Sequence, residues 1–235
     1  KDHTFVKVEK DGIFRWFEKV DDKYVEVLSK TVTEDGQELY NGEPKENGKF
    51  FQVGHMSEII VDGKEVAKTG PLGPFEFLST LEKSELIRFL KVKLEDGDNN
   101  VTLWRQAPTK GSDMLMPGLR FTKIKEESLI GKINFISLML ALFLGTASLP
   151  HILIRYYTVP SQKAARKSTI VAIAGIGFFY ILTMFMGLGA AVNGVLDVES
   201  SNMSGPLLAK AFGIGLFSII SAIAFATVLG TVSGL

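Results

Sequence analysis

Over the first seventy residues, β-branched and aromatic positions alternate with polar ones, and the runs are divided by turn pairs: Asp11-Gly12, Asp35-Gly36, Asn41-Gly42, Asn47-Gly48 and Asp62-Gly63. Such pairs accept the left-handed backbone of tight hairpin turns. The pattern predicts strands over Thr4 to Glu9, Ile13 to Val20, Tyr24 to Thr33 and Lys49 to Val53, and Glu58 to Val61 paired with Glu65 to Lys68. After Gly70-Pro71 the period changes. Pro74 suits a first helical position, and Phe75, Leu78 and Leu81 recur at helical spacing towards Phe89 and Leu90, which predicts one helix near 74–91 with Ser84 as its weakest point. Lys91 to Gln106 alternates again about Asp96-Gly97, and Pro117 to Lys132 reads as a polar connector.

Beyond Lys132 the pattern is of a different kind. Ile133 to Ile154, Ser168 to Leu196 and Ala211 to Leu235 carry no charge, and each exceeds the roughly 20 residues a helix needs to cross a bilayer. Spans are expected at about 133–154, 169–193 and 207–235. Charge sharpens the division: 21 of the 26 basic and 24 of the 26 acidic residues precede Ile133. A charge at the bilayer centre costs about 2.5 to 3.5 kcal/mol, so residues 1–132 belong in water. The expected fold class is mixed, a small β-rich (α+β) domain over 1–132 followed by a membrane domain over 133–235.

The connectors give an orientation. Arg155, Lys163, Arg166 and Lys167 lie between the first two spans without an acid, whereas Asp197 and Glu199 lie between the second and third. Basic connectors stay cytoplasmic, so residues 1–132 are expected to be extracytoplasmic. Tyr156 and Tyr157 then stand at the inner interface, and Lys210 snorkels to the outer one. The mixed Lys/Glu surface argues against nucleic acid. There is no cysteine, and His3 and His55 have no ligand-like spacing, so no metal centre is expected. No triad or nucleophile elbow is present, so an enzyme is not expected. The sequence stops at Leu235 inside an apolar run, which reads as a piece of a larger parent.

Gly145-Thr146-Ala147-Ser148-Leu149-Pro150 sets a helix break, Gly145 and Pro150, around two hydroxyls near mid-membrane. Proline removes an intrahelical hydrogen bond, and free backbone groups at that depth are tolerated only inside protein or along a solute cavity. A simple proline kink is the alternative, and the segment alone leaves both open.

This run continues into His151-Ile152-Leu153-Ile154-Arg155-Tyr156-Tyr157-Thr158-Val159-Pro160, with Ala164-Ala165-Arg166-Lys167-Ser168 after it. It resembles the solute:sodium symporter family, its cation/acetate branch in particular. Ala222 to Leu235 resembles the same branch, so the likeness covers 133–235, while 1–132 matches no common module. The resemblance implies a five-plus-five inverted-repeat transporter fold, of which the three spans are the sixth, seventh and eighth core helices. It implies a multi-pass protein of the cell membrane performing sodium-coupled symport of a small monocarboxylate such as acetate or pyruvate. Its partners are the carboxylate, the sodium ion, the lipid bilayer and the rest of the parent chain, with no cofactor besides the coupling ion.

By the same resemblance Thr227, Gly230 and Thr231 are the sodium-binding candidates. They share a face at i, i+3, i+4 spacing, and Gly230 departs from the family's hydroxyl pair. The alternative is a small-residue packing seam of Gly230 and Gly234 with Thr231 bonded to its own helix. Thr146, Ala147, Ser148 and His151 are the substrate-binding candidates, on the expectation of exposed amides at a half-helix N-terminus. His151 and Arg155 share a face; an inner gate and plain packing with a positive anchor are both open for them. The competing function is a membrane-embedded sensor with an outer ligand-sensing domain; a tethered enzyme lacks any catalytic constellation.

Overall fold

The computed structural model describes residues 3–48, 50–116, 129–148 and 150–233. The elements of the charged half are β1 (Thr4–Lys10), β2 (Ile13–Val20), β3 (Lys23–Val32), β4 (Glu38–Tyr40), β5 (Glu43–Pro44), α1 (Lys45–Gly48), β6 (His55–Glu58), β7 (Ile60–Val61), β8 (Lys64–Glu65), α2 (Pro74–Lys83), β9 (Glu85–Asp96), β10 (Asn99–Lys110) and α3 (Gly111–Leu115). Among the described residues, eight strands form one antiparallel sheet in the order β1-β2-β3-β10-β9-β6, with β4 and β5 appended to β3, and β7-β8 is a separate hairpin. Asp11-Gly12, Asn41-Gly42 and Asp62-Gly63 adopt positive φ at both positions, the hairpin geometry their sequence predicts. Asn47-Gly48 instead ends α1.

Alternation places Trp16, Val27, Val101 and Leu103 on one buried face, packed with Phe5, Val92 and Leu94. Within the sheet, the buried carboxylate of Glu18 is held by His3 Nδ1 at 2.8 Å and Arg105 at 3.3 Å. A second, aromatic cluster runs edge-to-face from Tyr40 through Phe50, at 5.0 Å, to Trp104, at 5.2 Å.

Two expectations for this half need correction. The helix expected near 74–91 stops at Lys83, and Glu85–Asp96 is strand. α2 starts as predicted, with Pro74 first and the Glu76 carboxylate accepting the Gly73 amide at 3.0 Å. It ends because buried Ser84 turns extended, donates its hydroxyl to the Thr80 carbonyl at 2.6 Å and accepts the Ile60 amide at 3.0 Å. The Leu90-Lys91-Val92-Lys93-Leu94 alternation thus reaches back to Leu86 and Ile87, which are buried against the sheet. The expected strand over Lys49 to Val53 is also absent from Phe50 onward, where only Val53 pairs, and it pairs with Leu196 (Lys49 lies outside the described residues).

The apolar half forms α4 (Leu129–Ala147), α5 (Pro150–Tyr157), α6 (Gln162–Val192), α7 (Ser204–Phe212) and α8 (Ile214–Ser233). α4, α6 and α8 are long and apolar enough to cross a membrane. The third span, expected at about 207–235, is two helices: Gly213 sits at φ 143°, ψ 157°, a backbone open to glycine alone, and separates α7 from α8. The expected connector over Pro117 to Lys132 lies outside the described residues up to 128; its last residues open α4.

The chain divides into two compact units, Lys1–Ser112 with Met186–Leu235, and Asp113–Phe185. In the first, the last turns of α6 pack on α7, where Ala190, Ala191, Leu207 and Ala209 are buried. In the second, the Tyr156 hydroxyl meets Thr169 Oγ1 at 3.0 Å and ties α5 to α6.

Candidate functional site

α4 carries no charge after Lys132 and spans about 28 Å at 1.5 Å per residue. It remains helical through Ala147, Ser148 forms a turn, and α5 begins at Pro150. Within the Gly145 to Pro150 run, α4 therefore ends at Ala147 and α5 starts at Pro150. The hydroxyls there are bonded locally: Thr146 Oγ1 donates to the Leu142 carbonyl at 2.7 Å, and Ser148 Oγ donates to the Gly145 carbonyl at 3.1 Å.

The amide expectation is corrected here. Thr146, Ala147 and Ser148 stand at the C-terminal end of α4, and the Ser148 amide donates to the Leu144 carbonyl at 3.0 Å. Pro150, the first residue of α5, has no N–H and adds no donor to this run. What Thr146 to Ser148 offer is hydroxyl oxygen and C-terminal carbonyls. Leu149 and the side chains of Pro150, His151 and Arg155 lie outside the described residues.

On α8, Thr227 donates its hydroxyl to the Ile223 carbonyl at 2.8 Å, and Thr231 donates to the Thr227 carbonyl at 2.9 Å. Thr231 thus bonds to its own helix. The same hydrogen bond holds the Thr227 carbonyl and the Thr231 hydroxyl side by side, and a hydroxyl that has donated its proton keeps lone pairs for a cation. Nothing stands within 4 Å of where a β-carbon on Gly230 would be. Thr227, Gly230 and Thr231 are grouped on α8, and Gly145 to Ser148 on α4; the two groups belong to different compact units.

A further junction lies within the first unit, between the β-domain and the residues after α6. Lys30 on β3 reaches Glu38 at 2.8 Å and Glu199 at 3.1 Å, and the Tyr40 hydroxyl donates to Glu199 at 3.1 Å. Desolvation works against the Lys30 charge, but hydrogen bonds to Glu38, Tyr40 and Glu199 outweigh it and hold the ammonium above the usual lysine range. The hydrogen bond from Lys30 holds the Glu38 carboxylate below its ordinary value. Alongside, Val53 and Leu196 exchange amide-to-carbonyl hydrogen bonds of 2.9 Å in both directions. Gly54, at φ 121°, and Gly194, at φ 69°, pass so closely that a β-carbon on Gly54 would fall 2.5 Å from the Ala191 carbonyl oxygen. Sequence periodicity missed this junction because Lys30 and Glu199 are 169 positions apart. The acids after α6 were the available signal.

The model of the Sodium:solute symporter family matches residues 91–235, more than half of the chain. The chain belongs to the sodium:solute symporter family. The match begins at Lys91, inside β9, so the β9-β10 hairpin belongs to the family segment and the likeness is not confined to 133–235. Curated relatives include an uncharacterized symporter, YwcA, of Bacillus subtilis (strain 168), 48% identical over 143 residues, 57% of this chain and 26% of the relative. Another is a monocarboxylic acid transporter of Corynebacterium glutamicum (strain ATCC 13032), 47% identical over 138 residues, 55% of this chain and 24% of the relative. The chain spans about a quarter of the length of these relatives. No solved structure matches the chain.

Proposed function

We propose that the protein containing this chain is a multi-pass secondary transporter of the cell membrane that moves a small monocarboxylate, acetate or pyruvate, by symport with sodium. The observation that carries this reading is the family match running across all three apolar helices. The relative named as a monocarboxylic acid transporter supports the substrate class. The fold in this reading is the five-plus-five inverted repeat, with α4-α5, α6 and α7-α8 as its sixth to eighth core helices. Thr231 and the Thr227 carbonyl hold sodium, while Thr146, Ala147, Ser148 and His151 flank the carboxylate.

Two physical observations support the expected orientation. α6 opens with Lys163, Arg166 and Lys167 and no acid, the opposite of what its own dipole favours. A cytoplasmic anionic leaflet accounts for that placement. Also, the β-domain touches the connector after α6, so both must lie on one face of the membrane. That requires an even number of crossings between them, satisfied when α4-α5 crosses once and α6 returns.

The test is uptake of labelled acetate and pyruvate by the intact protein in proteoliposomes. A sodium gradient should raise the initial rate at least several-fold. Equal rates with and without the gradient reject sodium coupling, and no uptake of either acid rejects the substrate class.

A further inference from the structure

We infer that the β-domain is a permanent brace on the outer connector between α6 and α7, bound to it throughout the transport cycle. Three independent contacts carry the inference. Lys30 is shared between Glu38 on its own domain and Glu199 on the connector, with the Tyr40 hydroxyl completing the Glu199 pairing. Val53 and Leu196 form a mutual backbone pair that continues sheet-like bonding across the junction. At Gly54 and Gly194 the two backbones approach so closely that any side chain would collide with a carbonyl oxygen.

These contacts differ from a surface that opens and closes. A gate uses contacts that break cheaply, such as exposed ion pairs, which are individually worth little. Here the commitment lies in the mutual backbone pair and in two glycines whose positive-φ backbones meet at carbonyl contact, with Ala190 and Ala191 buried at the end of α6. Breaking the junction would leave Lys30 with Glu38 alone, release Glu199 and part the Val53 and Leu196 amides from their acceptors. The β-domain, the outer turns of α6, α7 and α8 accordingly belong to one compact unit. The brace would hold the outer ends of the second and third spans at a fixed spacing while other parts of the transporter rearrange.

The test uses the cysteine-free chain within its full-length protein. Mutually hydrogen-bonded antiparallel partners have α-carbons about 5.5 Å apart, within the disulfide range of about 4.4 to 6.8 Å. Val53→Cys combined with Leu196→Cys should cross-link in native membranes on mild oxidation, detected as a linked peptide pair by mass spectrometry, with the single variants as controls. Lys30→Met in that background should slow cross-linking several-fold. The oxidised double variant should transport within about twofold of its reduced form. Failure to cross-link overturns the brace. Cross-linking that stops uptake, with recovery on reduction, overturns its permanence. The uptake arm rests on the transport reading; the cross-linking arm does not, so the two failures are distinguishable.

Discussion

The Thr231 hydroxyl gives its proton to the Thr227 carbonyl, and what it presents away from the helix is lone pairs. Bonding within the helix and cation binding are therefore compatible at this residue, which is why sequence reasoning left them open: both need a threonine four residues beyond a carbonyl. Replacing Thr231 by Val preserves shape and removes the oxygen. A hydrogen bond to a charged group is worth about 1.5 to 3 kcal/mol, so loss of this ligand should raise the sodium concentration for half-maximal uptake about tenfold or more. Thr231→Ser should retain near-normal dependence. Unchanged sodium dependence in Thr231→Val, measured by uptake across a sodium titration, removes this hydroxyl from the ion site. Gly230 has open space beside it, so its departure from the family's hydroxyl pair is not explained by packing among the described residues.

At the scale of elements, the proposed function turns on the passage from α4 to α5. Proline inside a helix costs about 3 kcal/mol, and Pro150→Ala supplies an amide that the Thr146 carbonyl can accept. The two helices should then fuse, and uptake should fall at least tenfold while the protein still inserts and is produced at a comparable level. Unaltered uptake, with insertion checked by protease protection, reduces the interruption to a kink. The start of α5 at Pro150 matches proline's local effect, whereas Gly145 lies inside α4. The hairpins at Asp11-Gly12, Asn41-Gly42 and Asp62-Gly63 were legible because their turn pairs also act locally. The switch from α2 to β9 was not, because Leu86 and Ile87 suit a helical face as well as a strand; tertiary bonds made by Ser84 decide it. The division of α7 from α8 was hidden by an uninterrupted apolar run, in which Gly213 is one glycine among several.

Across the whole molecule, the charged half meets the connector after α6 at Lys30, which also holds Glu38 of its own domain. The Glu38 carboxylate is held below its ordinary value by Lys30, so its contribution is present above the usual carboxylate range and is lost as pH falls through its lowered value. Lys30 is held above its ordinary value, so its contribution persists until pH rises beyond the usual lysine range. The joint should be indifferent to pH across the physiological range. Glu38→Gln should lower the unfolding temperature modestly at pH 7, and the difference from the parent should fade as pH falls through the lowered Glu38 value, followed by tryptophan fluorescence. A difference that persists in acid would assign the effect to something other than this carboxylate's charge. The sequence separation of Lys30 and Glu199 has a further consequence for synthesis. The β-domain leaves the ribosome long before its counterpart exists, and in the proposed topology two membrane insertions separate Lys30 from Glu199. In the proposed topology, a nascent chain that skipped either insertion would put Glu199 on the opposite side of the membrane and leave Lys30 with Glu38 alone.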